Sequence, residues 1–247
     1  MRSVIAGAGG HGRVVLDILL RSAAHQVAGF VDSDPSLTGS RMDGKPVLGT
    51  LDDLPRLRDE LGVDAAIVAI GDNGIRREFA DKISSMGFVL INAIHPSANL
   101  AQSVSLGSNI VIAAGALVCA HCHIGDSVIL NTGCIVDHES MIAPGSHVCP
   151  GARIAGRVNI QAGVFIGIGA TVIQSVQIGH HAIVGAGAVV IDDVASQSTV
   201  VGVPARIKPS SVSAASQQRD VVTEQLSAQN VVAPLLQATG HRNKFAQ

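Results

Sequence analysis

The chain has 247 residues, a formal net charge of −2 and only 15% charged side chains, so no basic footprint marks a nucleic-acid binder. Five Phe with no Trp or Tyr leave little on which bases could stack. No apolar run approaches about 18 residues and a Gly-rich turn begins at Gly7, so neither a membrane span nor a signal peptide is expected; the four cysteines then suit a reduced, cytoplasmic protein.

The first ninety-odd residues alternate strand and helix signals. Ser3-Val4-Ile5-Ala6 is a short apolar run expected as a buried strand, followed by a Gly-rich turn at 7–12 and a helix over 14–20. A second strand is expected over 26–31, a helix over 51–61, a third strand over 64–70 closing on Gly71, and a helix over 75–86. Such alternation implies a parallel sheet, whose ligands bind outside the carboxyl ends of the strands. The 7–12 turn has the form G-x-G-x-x-G, and Asp32 stands where an acid would take a ribose hydroxyl. Those glycines suit either a phosphate-binding loop or a plain tight turn. The unit is short for a full NAD domain, so a mononucleotide or nucleotide-sugar fits its size better.

From Leu100 to Val190 every sixth residue is Leu, Ile or Val, and two residues before each stands a small or β-branched residue such as Ala98, Val104, Cys122 or Ala188. Six is a multiple of the strand period of two and not of the helical period of about 3.6. Each hexad therefore turns the same two side chains inward and then rounds a corner, the signature of a β-helix. Cys122 and Cys134 fall in the small inward slot. Cys119 and Cys122, with His121 and His123, raise a metal site, but alternation divides them between two faces, and no metal is expected. The division expected is 1–95 for a Rossmann-like domain, 96–208 for the solenoid and 209–247 for a tail, part helix or mobile.

One polar cluster interrupts the repeats at 131–140. His138 stands two residues after inward Val136, at a corner, with Asp137 and Glu139 on either side. An imidazole with a carboxylate partner is a suitable general base near neutral pH. Neighbours on a straight strand point oppositely, so pairing with either acid requires corner geometry or another subunit.

The segments GAGGHGRVVLDIL, GFVDSDP, AIGDNGIRREF, ILNTGCIVDHES and VVGVPARIK together resemble the bacterial sialic-acid O-acetyltransferase family, which includes nucleotide-aminosugar N-acetyltransferases of glycan biosynthesis. The resemblance covers about 200 residues and implies a left-handed β-helix, a homotrimer, and acetyl-CoA as co-substrate in a groove between solenoids. By resemblance His138 is the general base and Glu139 the acid that polarises it, while His147, Ile168 and Ala186 contact acetyl-CoA. Gly9, Gly10, His11, Asp32, Ser33 and Gly71 match the nucleotide-sugar site. Some relatives carry a second acid at the position of Ser33, which leaves the particular sugar nucleotide open.

The activity implied is acetyl transfer to the amine of a nucleotide-linked amino sugar. A sugar or serine hydroxyl acceptor would use the same base, and a zinc carbonic anhydrase would need a histidine trio that the spacings do not offer.

Overall fold

Val4, Ile5 and Ala6 are fully buried in β1 (Arg2–Ala6), as the inner strand of a parallel sheet requires. The computed structural model describes residues 1–208, which form one unit; the tail expected at 209–247 lies outside the described residues. After β1 come α1 (Gly10–Ser22), β2 (Gln26–Val31), a small hairpin of β3 (Arg41–Met42) and β4 (Lys45–Pro46), α2 (Leu54–Leu61), β5 (Ala65–Val68), α3 (Asn73–Ser85) and β6 (Val89–Leu90). The sheet order is β2-β1-β5-β6, all parallel. Val15 and Leu19 of α1 pack with Ile5, Phe30 and Ile67, while Leu54, Leu57 and Ile83 of α2 and α3 pack with Val4, Ala6 and Val68. The two helical layers thus cover opposite faces.

Two elements differ from expectation. The first helix starts at Gly10 rather than near Val14, directly after the extended N-cap Gly9, and so takes in Gly12, where a Cβ would run into the Gly7 carbonyl oxygen. The expected 51–61 helix is a 3₁₀ turn, opened by a capping box of Thr50 and Asp53, followed by α2.

Beyond β6 the hexads fold as the periodicity predicts. Val111–Ile112 pairs in parallel with Ile129–Leu130, and that strand with His147–Val148, so one turn of the coil takes eighteen residues, or three hexads. The strands stack into three sheets, hereafter first, second and third in the order the chain visits them, and the cross-section is a triangle. The hexad residues fill its interior: Ile112, Val118, Ile124, Leu130, Val136 and Ile142 are all fully buried. Small partners such as Ala152, Ala170 and Cys134 occupy the tight inward slot beside them. The four cysteines are free thiols.

The α/β domain sits on the first sheet. Ala93, Val111 and Ile129 point outward from successive strands of that sheet and are buried against Val15, Leu19 and Phe30. Asn109 adds a polar tie, its side-chain oxygen accepting from the Val68 N–H at 2.8 Å while its amide donates to Ser127 Oγ at 2.9 Å. The expected fold class, a Rossmann-like domain followed by a parallel β-helix, is the one the chain adopts.

Candidate active site

At the carboxyl ends of the domain's strands lies a cavity of about 350 Å³. Gly9, Gly10, His11, Asp32, Ser33 and Gly71 all line it, so the six residues assigned to the nucleotide-sugar site converge. Sequence reasoning missed Ile75 and Phe79, which also line it; they are four apart on α3 and hence share a helix face. Gly9 caps α1 without a side-chain hydrogen bond, so the first-turn N–H groups remain available to an anion. Asp32 shapes the turn, Oδ2 accepting from the Ala8 N–H at 2.7 Å and Oδ1 from the Asp34 N–H at 3.0 Å. A larger depression of about 520 Å³ opens at the other end of the strands, beside Met1 and His25. It has no Gly-rich turn and lies at the wrong strand ends for a ligand of such a sheet.

His147 follows Ile129 in the outward file of the first sheet and is buried, at 8% exposure. Its Nε2 lies 3.2 Å from the Asn131 amide nitrogen, its ring meets Phe165 edge-on at 5.3 Å, and its Nδ1 has no partner. Burial, then the charges of Arg76 and His11, pull its pKa down to about 4, against a smaller opposing effect of the Gly71 backbone. His11 is likewise lowered to about 4, by burial and then Arg76, and its Nε2 is also unpartnered. His147 therefore sits at the inner edge of the region that holds His11 and Gly71.

His138 and Glu139 occupy a different place, the corner between the second and third sheets. Glu139 has φ 57°, and its Oε2 lies 3.2 Å from His138 Nδ1. A carboxylate can only accept, so this pairing puts the ring proton on Nδ1 and leaves the Nε2 lone pair free. Asp137 bonds the backbone instead of the ring: its Oδ1 accepts the His138 backbone N–H at 2.8 Å, which holds its carboxyl below the usual range, assisted by the Cys119 thiol. The imidazole lies over Gly156, where a Cβ would strike it.

Ile168 and Ala186 stand eighteen apart on the corner between the first and second sheets. The Ile168 carbonyl accepts from the Gly187 N–H at 2.8 Å, and the Ile168 side chain is exposed. They share a side of the coil with His147. A triangle's first face is opposite the corner between its second and third, so the His138 pair stands at the corner away from the sheet on which the domain docks. Among the described residues no three His, Cys, Asp or Glu side chains gather to hold a metal ion, and no helix is long and apolar enough to cross a membrane.

Residues 2–83 match the PglD N-terminal domain family. The chain is 32% identical over 168 residues to GDP-perosamine N-acetyltransferase of Escherichia coli O157:H7, covering 66% of this chain and 74% of that one. PerB from Caulobacter crescentus, solved in complex with CoA and GDP-perosamine, is 42% identical with a TM-score of 0.80, over 85% of this chain and 98% of that one. The acetyltransferase domain of PglB from Neisseria gonorrhoeae, solved with acetyl coenzyme A, is 34% identical with a TM-score of 0.78, over 84% and 98%. The likeness spans both parts of the chain, the α/β domain and the coil. The chain belongs to the hexapeptide-repeat, acetyl-CoA-dependent N-acetyltransferases of nucleotide-linked amino sugars.

Proposed function

We propose that the acceptor is an amino sugar carried on a nucleoside diphosphate, as GDP-perosamine is for the Escherichia coli relative, and that transfer occurs in a groove between two copies of this chain. The observation that carries the chemistry is the 3.2 Å pairing of His138 Nδ1 with Glu139 Oε2, which leaves Nε2 as a base at an exposed corner. The sugar amine attacks the thioester carbonyl carbon of acetyl-CoA while its proton passes to His138 Nε2. Glu139 stabilises the imidazolium that forms. The C–S bond then breaks, and the departing thiolate takes the proton back from His138.

In this reading Gly9, Gly10 and His11 receive the diphosphate at the start of α1 and Asp32 and Ser33 the ribose, with Gly71 closing the nucleotide site from the facing wall. His147, Ile168 and Ala186 line the path of acetyl-CoA. Residues 1–95 recognise the nucleotide-sugar and residues 96–208 carry out the transfer. Because the base stands at the corner away from the face on which the domain docks, this reading has a second copy bring its cavity to this chain's His138. A closed homotrimer with three equal grooves does so with one interface. Acetyl-CoA and nucleotide-sugars are cytoplasmic metabolites, and that is where we place the reaction.

The test is acetyl transfer from acetyl-CoA to GDP- and UDP-linked amino sugars, with the corresponding hydroxy sugars as competing acceptors. N-acetylated product from an amino sugar is expected. Turnover of hydroxyl acceptors alone would move the chain to O-acetylation.

A further inference from the structure

Arg76 of α3 is the largest side chain that the described residues bury completely, at 0% exposure. Burial pulls its pKa down to about 10, and the charge of Asp72 offsets this only in part. Its hydrogen bonds run in two directions. Toward the α/β domain, Nη1 donates to the carbonyls of Ile70, Gly71 and Asp72 at 3.0, 3.1 and 3.3 Å. Toward the solenoid, Nε donates to the Ser127 carbonyl at 2.8 Å, and Nη2 to those of Gly145 and Ser146 at 3.0 and 3.3 Å. Nη2 also donates to Asn73 Oδ1 at 2.8 Å, and the Asn73 amide reaches on to the Gly163 and Val164 carbonyls at 3.1 and 3.2 Å.

We propose that Arg76 is a positioning residue for the acceptor: its guanidinium fastens the 70–72 loop, which carries Gly71 into the nucleotide-sugar cavity, to the corner of the solenoid just ahead of His147. The inference rests on the reading of that cavity as the acceptor site. Burying a cation is expensive, and apolar residues join two surfaces as well or better. What an apolar side chain does not supply is a rigid planar fork that fixes the direction of several carbonyls at once. The loop so held is one wall of the cavity. Beside it stands an unpartnered imidazole nitrogen, His11 Nε2, the kind of polar atom a sugar hydroxyl satisfies. Lys cannot reproduce the grip, because its single ammonium has three donors and no fork.

The experiment measures dissociation constants of GDP, UDP and CoA by calorimetry on the full-length wild type, Arg76→Lys and Arg76→Met, with thermal unfolding in parallel. Binding of the nucleotide that the wild type prefers is expected to weaken about tenfold or more in both variants, the scale of one charged hydrogen bond, with CoA binding weakened clearly less. Arg76→Lys keeps the charge and the test if Arg76→Met fails to fold. Nucleotide binding as tight as wild type in Arg76→Lys, or equal weakening toward CoA, overturns the assignment and leaves the acceptor reading standing. A wild type that binds neither GDP nor UDP overturns the acceptor reading and the inference together.

Discussion

Glu139 reaches the imidazole of His138, its immediate neighbour, because its backbone takes the left-handed conformation at φ 57°. His121 and Arg157, one coil below and above, do the same at φ 61° and 58°. The conformation belongs to the corner, and the corner turns an acid that a straight strand would point away into a partner for the ring. A left-handed non-glycine residue costs roughly 1–2 kcal/mol, which the stacked turns offset. His138→Asn is expected to lower kcat by about 10²–10⁴-fold, the usual worth of a general base, with fold and assembly unchanged. Glu139→Gln should lower kcat less and leave the KM of acetyl-CoA unaltered. A loss under about tenfold in His138→Asn removes it from the role.

Gly156 lies beneath the same imidazole, and a methyl group there has no room unless the ring moves. Gly156→Ala is expected to reduce kcat about 10²-fold, as a misplacement of about 1 Å can, while circular dichroism and Tm stay near wild type. Full activity would place the working ring elsewhere.

The proposed groove between two chains has a simple consequence for mixed assemblies. His138→Asn and Asp32→Ala chains, each inactive alone, are expected to regain activity when unfolded together and refolded as mixtures. With random equal mixing about one groove in four pairs an intact base with an intact cavity. No recovery from mixtures that light scattering shows to be hybrid would put base and cavity in one chain.

His11 and His147 are each lowered to about 4 by burial first and the charge of Arg76. In the unfolded chain both take up protons near their ordinary 6.5. Between pH 4 and 6.5 the unfolded state therefore binds more protons, so stability is full above this window and falls as pH drops through it. The slope reaches about 1.4 kcal/mol per pH unit per histidine. Tm is expected to fall between pH 7 and 5, and to fall less in His147→Gln. An equal fall in that variant would mean that His147 is already free to charge.

The coil was legible because a period of six admits no helix and because Ile112, Leu130 and Val148 recur at positions that must point the same way. The Gly9–Gly10–His11 turn and Asp32 were legible from local spacing. The setting of His147 was not, since the groups whose charges act on it, Arg76 and His11, are far away in the chain. A signal was nonetheless present in the outward file Ala93, Val111, Ile129, His147, Phe165. The third sheet turns out Ser105, His123, Met141 and Asn159, so apolar outward residues mark the covered face. Arg76 gave no sign at all: an arginine on an amphipathic helix is ordinarily solvated, and its acceptors Ser127, Gly145 and Ser146 are carbonyls whose identity no side chain announces.

The eighteen-residue turn divides the solenoid into three parallel tracks, one docking the α/β domain, one holding the Ile168–Ala186 file and one displaying the base. Sliding a residue along its track by a whole turn changes its height by about 4.8 Å and keeps its outlook. Shifting it by a single hexad sends it to another side of the prism. The chemistry can thus be retuned for longer or shorter substrates by inserting or removing complete turns, whereas a lone hexad gained or lost would leave every later tool on the wrong edge.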